Sequence, residues 1–131
     1  MLSVRIISSP EEKEILHSVD ESSFRLFDVD KIAWRSYVIV EEAGNVVGIT
    51  AFTEQSIRYD APTMGIGFVE VHEDHKGRGI GKLMASVLVR HAKETGRAIS
   101  NSSYEPEGKL YLRHVLHRET QTQKVQFFDV E

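Results

Sequence analysis

Apolar positions along the chain come in runs of two kinds. YVIVEEA (37–43) and VVGITAFTE (46–54) read as strands, and the Gly44-Asn45 dipeptide between them is a hairpin-type turn. Ile57 to Thr63 is polar and contains a proline, so it is predicted to be a connecting loop. Met64 to Lys82, MGIGFVEVHEDHKGRGIGK, then changes character within one stretch. Phe68, Val69 and Val71 favour a buried strand, and Gly77, Gly79 and Gly81 follow within five residues. Beyond them Ile80, Leu83, Met84, Val87 and Leu88 recur at the spacings of one helical face. Lys93 lies near the end of that helix, and Gly96 is its natural stop.

The flanks extend this pattern. Val4 to Ile7 is a short β-rich run and the predicted first strand. Ser9-Pro10-Glu11-Glu12 has the form of a capping box with proline at the first helical position. The helix it opens would carry Ile15, Leu16 and Val19 on one face and end near Glu21 to Phe24. Phe27, Val29, Ile32 and Ala33 predict a second short helix starting at Asp28 or Asp30. Trp34, the only tryptophan, reads as a core or lid residue. Arg97 to Tyr104 is a predicted strand, Glu105-Pro106-Glu107-Gly108 breaks it, and Leu110, Tyr111, Val115 and Leu116 predict a last short helix. Val125 to Val130 closes the chain as a strand. A central hairpin with helices around it implies an α/β (α+β) domain over residues 1–131, with a mixed sheet and helices on both faces.

Composition narrows the chemistry. The absence of cysteine excludes disulfides, thiolate metal sites and a cysteine nucleophile. A net charge of −4 argues against a nucleic-acid-binding surface. No apolar run approaches the roughly 20 residues of a membrane span, and the N-terminus lacks an apolar signal core, so a cytoplasmic location is expected. His72 and His75, and His114 and His117, have i, i+3 spacing, but neither pair has an evident third ligand, so no metal is assigned.

A strand, a glycine turn and a helix start together make an anion site. The first N–H groups of the helix are unpaired, the dipole adds positive charge, and glycine lets a phosphate come close. A P-loop does not fit, because Leu83 replaces the hydroxyl residue and Lys76 stands at the first glycine position. A Rossmann turn does not fit either, since the spacing is G-x-G-x-G and sits in mid-chain. The remaining option is a pyrophosphate loop for coenzyme A.

Lys76-Gly77-Arg78-Gly79-Ile80-Gly81 resembles the Q/R-x-x-G-x-G/A signature of the GNAT superfamily of acyl-CoA-dependent N-acyltransferases, with lysine in first place. The strand ending Val69-Glu70-Val71, the helix that follows and the order of elements match as well, over roughly Val4 to Leu116. The resemblance implies a mixed, mostly antiparallel sheet of about six strands with three to four helices. It also implies acetyl-CoA or coenzyme A as co-substrate. Backbone N–H groups from Gly77 to Lys82 would hold the pyrophosphate, and the free backbone of Val69 to Val71 would pair with the pantetheine arm. His75, Lys76, Arg78 and Lys82 form a local basic cluster suited to phosphates, or simply a set of solvated loop charges.

For the reaction, Leu110-Tyr111 stands where many relatives carry the tyrosine that protonates the leaving thiolate, which makes Tyr111 the candidate acid. A tyrosine with its hydroxyl in water would look the same. Gly65 and Gly67 occupy the positions where relatives carry a base. Glu70 is the candidate that remains on the strand, against the alternative of a solvated or ion-paired side chain. The implied acceptor is a primary amine on a small molecule or a protein, with the chain acting as monomer or homodimer. Glu54, Asp60, Glu70 and Glu73 are candidates for an acidic mouth. The glycines at the base positions also motivate a second reading, a weak or inactive module that binds acyl-CoA or a partner protein.

Overall fold

The computed structural model describes the backbone of residues 1–58, 61–101 and 109–128, and the side chains of these except 55–58 and 109–112. Strands β1 (Leu2–Ile7), β2 (Ser36–Glu42), β3 (Asn45–Arg58), β4 (Ala61–Val71), β5 (Ala98–Ser100) and β6 (Phe127–Phe128) lie side by side in chain order. The first four are antiparallel neighbours, whereas β4–β5 and β5–β6 run parallel. Parallel neighbours need a crossover. Helices α1 (Ile80–Glu94) and α2 (Lys109–Gln123) supply the two required.

The hairpin turn sits one residue earlier than its sequence suggests. Ala43 and Gly44 take φ of 52° and 81°, the pair of positive values that a tight β-hairpin needs, and Asn45 already belongs to β3. The described part of the predicted 57–63 loop is instead strand, with Ser56, Ile57 and Arg58 paired to Thr63, Pro62 and Ala61. Pro62 is tolerated because β5 joins β4 only from Thr63 onward, so no ladder donor is missed on that edge.

Side-chain alternation sorts the sheet into two faces. Val38, Val40, Val47 and Ile66 pack with Met84, Leu88 and Val89 of α1 and Leu116 of α2. Tyr37, Ile39, Ile49 and Phe68 face the other way, onto Leu16, Phe24, Phe27 and Ile32. Gly67 makes the switch within β4. Ala51 pairs with Phe68 and Phe52 with Ile66, leaving Gly67 as the extra residue of a bulge. Gly48 seats α1 on the sheet, since a Cβ there would lie 2.8 Å from Ile80 Cγ2 and 3.0 Å from the Met84 sulfur.

The N-terminal helical layer is built differently from expectation. The capping box forms: the Glu12 N–H donates to Ser9 Oγ at 3.2 Å, and the Ser9 and Ser8 N–H groups donate to Glu12 Oε1 at 3.0 and 3.2 Å. The segment it opens is a 3-10 helix, Glu12–Ser18, and it stops before Glu21 because Val19 is extended and Asp20 caps a separate turn, Glu21–Ser23. Asp28 caps the predicted second short helix, a 3-10 turn over Val29–Trp34. Buried Lys13 ties the two together, its Nζ donating to the carbonyls of Ile32 (2.7 Å) and Arg35 (3.1 Å). Trp34 is 77% exposed, so it is not a core residue. Toward the C-terminus, β5 starts at Ala98 and β6 at Phe127, residues 102–104 and 129–130 of the two predicted strands lie outside the described residues, and α2 is longer than predicted.

Candidate active site

The site is organised by where β4 loses its neighbour. Pairing to β5 covers only Thr63, Met64 and Gly65, and among the described residues no strand continues it alongside Ile66 to Val71. Among the described residues β4 therefore runs on with one backbone edge unpaired. The chain then turns through a short 3-10 segment, Glu73–His75, into Lys76 and the glycines. Gly77 and Gly79 take φ of 81° and 78°, a left-handed conformation that strains any residue with a Cβ. Cβ atoms built at either would meet nothing within 4 Å, so these glycines serve backbone shape rather than tight packing.

Gly79 is the N-cap of α1 and offers no side-chain cap. The first intrahelical bond runs from the Leu83 N–H to the Gly79 carbonyl at 3.0 Å. The N–H groups of Ile80, Gly81 and Lys82 precede that bond and form the positive end of the helix dipole. A groove of about 500 Å³ joins the two features, running from Val69 and Val71 past Leu26 to Gly77, Gly79 and Lys82.

The basic residues around the loop are largely paired. Arg78 meets Glu42 in a two-pronged contact, Nη1 to Oε1 at 3.0 Å and Nη2 to Oε2 at 2.7 Å, and its Nη1 lies 2.8 Å from His75 Nδ1. These hydrogen bonds hold the Glu42 carboxyl below the usual carboxylate range and raise the Arg78 guanidinium pKa further. Lys76 Nζ pairs with Glu73 at 3.0 Å, and Lys82 is exposed at the groove. Arg78 thus tethers the glycine loop to the β2–β3 hairpin.

Glu70 is partly buried on the face away from α1. One carboxylate oxygen accepts the Arg25 N–H at 2.5 Å and the other the Leu26 N–H at 2.9 Å. It anchors the 24–28 loop onto β4 and brings Leu26 to the groove. Nothing in the sequence pairs position 70 with positions 25 and 26, because a carboxylate bonding to main chain needs no particular partner residue. His72 closes the strand, its Nδ1 accepting the Asp74 N–H at 3.1 Å and its ring 5.7 Å from Phe24. Tyr111 lies in the first turn of α2, and its side chain lies outside the described residues, as does Asp60. The other three acids proposed for an acidic mouth are separated: Glu54 lines another cavity, Glu70 holds the loop and Glu73 pairs with Lys76.

That second cavity, of about 810 Å³, has Lys13, Trp34, Arg35, Thr53, Glu54 and Arg97 in its wall. Sequence reasoning missed it, since these residues come from four separate segments. Glu54 lies 3.3 Å from His91 Nε2 and 3.4 Å from Arg97 Nη1, and Arg97 Nε donates to the Glu54 carbonyl at 3.1 Å.

The sequence model described as "Acetyltransferase (GNAT) family" matches residues 5–113. No curated protein matches the chain in sequence. Among solved structures, a ribosomal-protein-alanine N-acetyltransferase from Brucella melitensis biovar Abortus 2308 superposes with a TM-score of 0.67 and 16% identity, covering 88% of this chain and 90% of its own. The aminoglycoside N-acetyltransferase AAC(6')-Iy in complex with CoA gives 0.63 and 12% identity, covering 100% and 91%. A GNAT family acetyltransferase from Brucella melitensis in complex with acetyl-CoA gives 0.54 and 22% identity, covering 74% and 71%. At these identities the likeness is one of fold.

Proposed function

The chain belongs to the GNAT family of acetyltransferases, and on that premise we propose that it transfers an acyl group, acetyl first of all, from acyl-CoA to a primary amine. One observation carries the reading. Among the described residues the β4 edge has no neighbour beyond Gly65, and the strand leads directly to two left-handed glycines and a helix start with no side-chain cap. An extended amide-bearing arm ending in a pyrophosphate matches that sequence of features. Val69 and Val71 would hold the arm by main chain. Gly77, Gly79, Ile80, Gly81 and Lys82 would hold the phosphates by N–H groups, with the Lys82 ammonium beside them. Lys76 and Arg78 act at one remove, fixing the loop through Glu73 and Glu42. The CoA- and acetyl-CoA-bound relatives support this assignment of co-substrate.

The coenzyme supplies an activated thioester, so this chain needs no nucleophile of its own. The amine forms the new C–N bond as the C–S bond breaks; the amine loses a proton and the thiolate gains one. We assign the second proton to Tyr111, from its place in the first turn of α2. Gly65 and Gly67 offer no side-chain base, and the oxygens of Glu70 are engaged by the 24–28 loop. Glu70 therefore positions that loop, and ordered water takes the amine's proton.

Calorimetric titration with acetyl-CoA tests the reading. Saturable binding is expected, weakened about tenfold or more by Gly79→Ala, whose Cβ disfavours the left-handed φ by about 1–2 kcal/mol. Tyr111→Phe should keep the affinity and lose about 10²-fold or more in turnover. A folded sample that takes up no acetyl-CoA would overturn the proposal.

A further inference from the structure

We infer that Leu26 is a contact for the pantetheine arm of the co-substrate and that Glu70 is the positioning residue that puts it there; the inference rests on the acyltransferase reading above. The groove along β4 draws on both layers of the fold. From one face comes the start of α1, whose Ile80 belongs to the core under that helix. From the other comes the 24–28 loop, whose Leu26 packs on the second core with Phe24 and Phe27. Leu26 and Ile80 line one groove together with Val69 and Val71. An extended ligand lying on β4 would therefore have an apolar side chain from each layer beside it.

The loop reaches the groove because β4 holds it at three successive residues. Glu70 accepts the N–H groups of Arg25 and Leu26, one on each carboxylate oxygen. His72, two residues on and so on the same face, sets its ring T-shaped against buried Phe24 at 5.7 Å. Hydrogen bonds to an ionised carboxylate are the stronger kind, and two on one group fix direction as well as distance. The chemistry of the groove then says which part of the co-substrate Leu26 sees. The glycines and the helix start present N–H groups and suit phosphate. Leu26, Val69, Val71 and Ile80 present carbon. The arm carries two amides, which main chain can pair, and a carbon bearing two methyl groups, which only side chains can shelter. Leu26 is the apolar side chain that the 24–28 loop adds to the groove.

The experiment titrates the full chain by calorimetry with two probes: acetyl-CoA, and adenosine 3′-phosphate 5′-diphosphate, which keeps the phosphates and lacks the arm. Leu26→Ala is expected to weaken acetyl-CoA about tenfold and to leave the nucleotide unchanged. Leu26→Met conserves volume and should restore most of the loss. Glu70→Gln keeps the size but brings one acceptor oxygen to two N–H donors, so it should reproduce the selective loss. The double variant should lose little more than either single one, because both act through one contact. If Glu70→Gln fails to fold, Glu70→Asp, which keeps both oxygens but shortens the anchor by one carbon, takes its place with the same expected selectivity. Equal losses for the two probes, or an acetyl-CoA affinity untouched by Leu26→Ala, would overturn the inference and leave the acyltransferase reading standing. A normal Glu70→Gln beside a weakened Leu26→Ala would overturn the role of Glu70. A folded wild type that binds neither probe would remove the acyltransferase reading and this inference with it.

Discussion

At the residue scale, single atoms explain several choices. Tyr37 is fully buried, and its hydroxyl has no hydrogen-bond partner among the described residues. Burial pushes its pKa up to about 12. An unsatisfied buried hydroxyl costs on the order of 1 kcal/mol or more, so Tyr37→Phe is expected to hold or raise the melting temperature. The sign of the pH effect follows from the raised pKa. The unfolded phenol ionises near pH 10 and the folded one near 12, so stability declines as pH rises between those values. Thermal melts from pH 8 to 11 should therefore show the Phe variant losing less stability than the wild type, and a steeper alkaline loss in the variant would contradict this account. Gly77 and Gly79 were legible in the sequence because a left-handed turn before a helix leaves few residues to choose from. Glu70 was not, because its partners are the N–H groups of Arg25 and Leu26, which any residue carries.

At the element scale, the seating of α1 decides where the helix start lies. Gly48→Ala would place a Cβ 2.8 Å from Ile80 Cγ2, at the first residue of α1. Overpacking of this kind costs about 1–3 kcal/mol. The expected outcome is a lower melting temperature together with weaker acetyl-CoA binding, although no loop residue has changed; unaltered binding would separate the groove from the seating of the helix. The capping box of the first 3-10 helix makes a pH prediction of opposite sign. Hydrogen bonds from the Ser9 backbone, the Ser8 backbone and the Ser9 hydroxyl hold the Glu12 pKa below its ordinary 4.5. Its contribution is complete above that value and is lost as pH falls through the folded pKa. Glu12→Gln should be the less stable protein at pH 7, with the difference shrinking below pH 4.5, as read from melting temperatures across pH 3 to 7. The helix start was legible from Ser9 and Glu12. Its 3-10 form and early stop were not, because Lys13 turns inward to the carbonyls of Ile32 and Arg35, and that tertiary bond fixes the turn. The β3–β4 arm was hidden by Pro62, which reads as a loop residue until the position of β5 is known.

At the scale of the whole molecule, the groove at Val69 and Val71 lies where the described sheet stops pairing β4 on one side. β5 spans Ala98–Ser100, so among the described residues β4 has a second neighbour over Thr63–Gly65 and is paired on one side beyond it. The alternating pattern of β4 announced a strand, and the glycine turn announced an anion site. The gap between them depends on the length of a neighbour far along the chain, and local pattern carries no such information. If the open edge is the seat of the pantetheine arm, hydrogen exchange of the intact chain should record it. Acetyl-CoA should slow exchange in peptides covering Ile66–Val71 and Gly77–Leu83, because their unpaired N–H groups gain partners. Peptides from β1 and β2 should change little, since these strands lie two to three strands away from β4. Protection centred on β1 or β2, with β4 unaffected, would place the coenzyme elsewhere and detach the glycine loop from the role given to it. Protection of β4 without the loop would keep the arm at the strand and move the pyrophosphate away from α1, so the exchange pattern tests the two halves of the site separately.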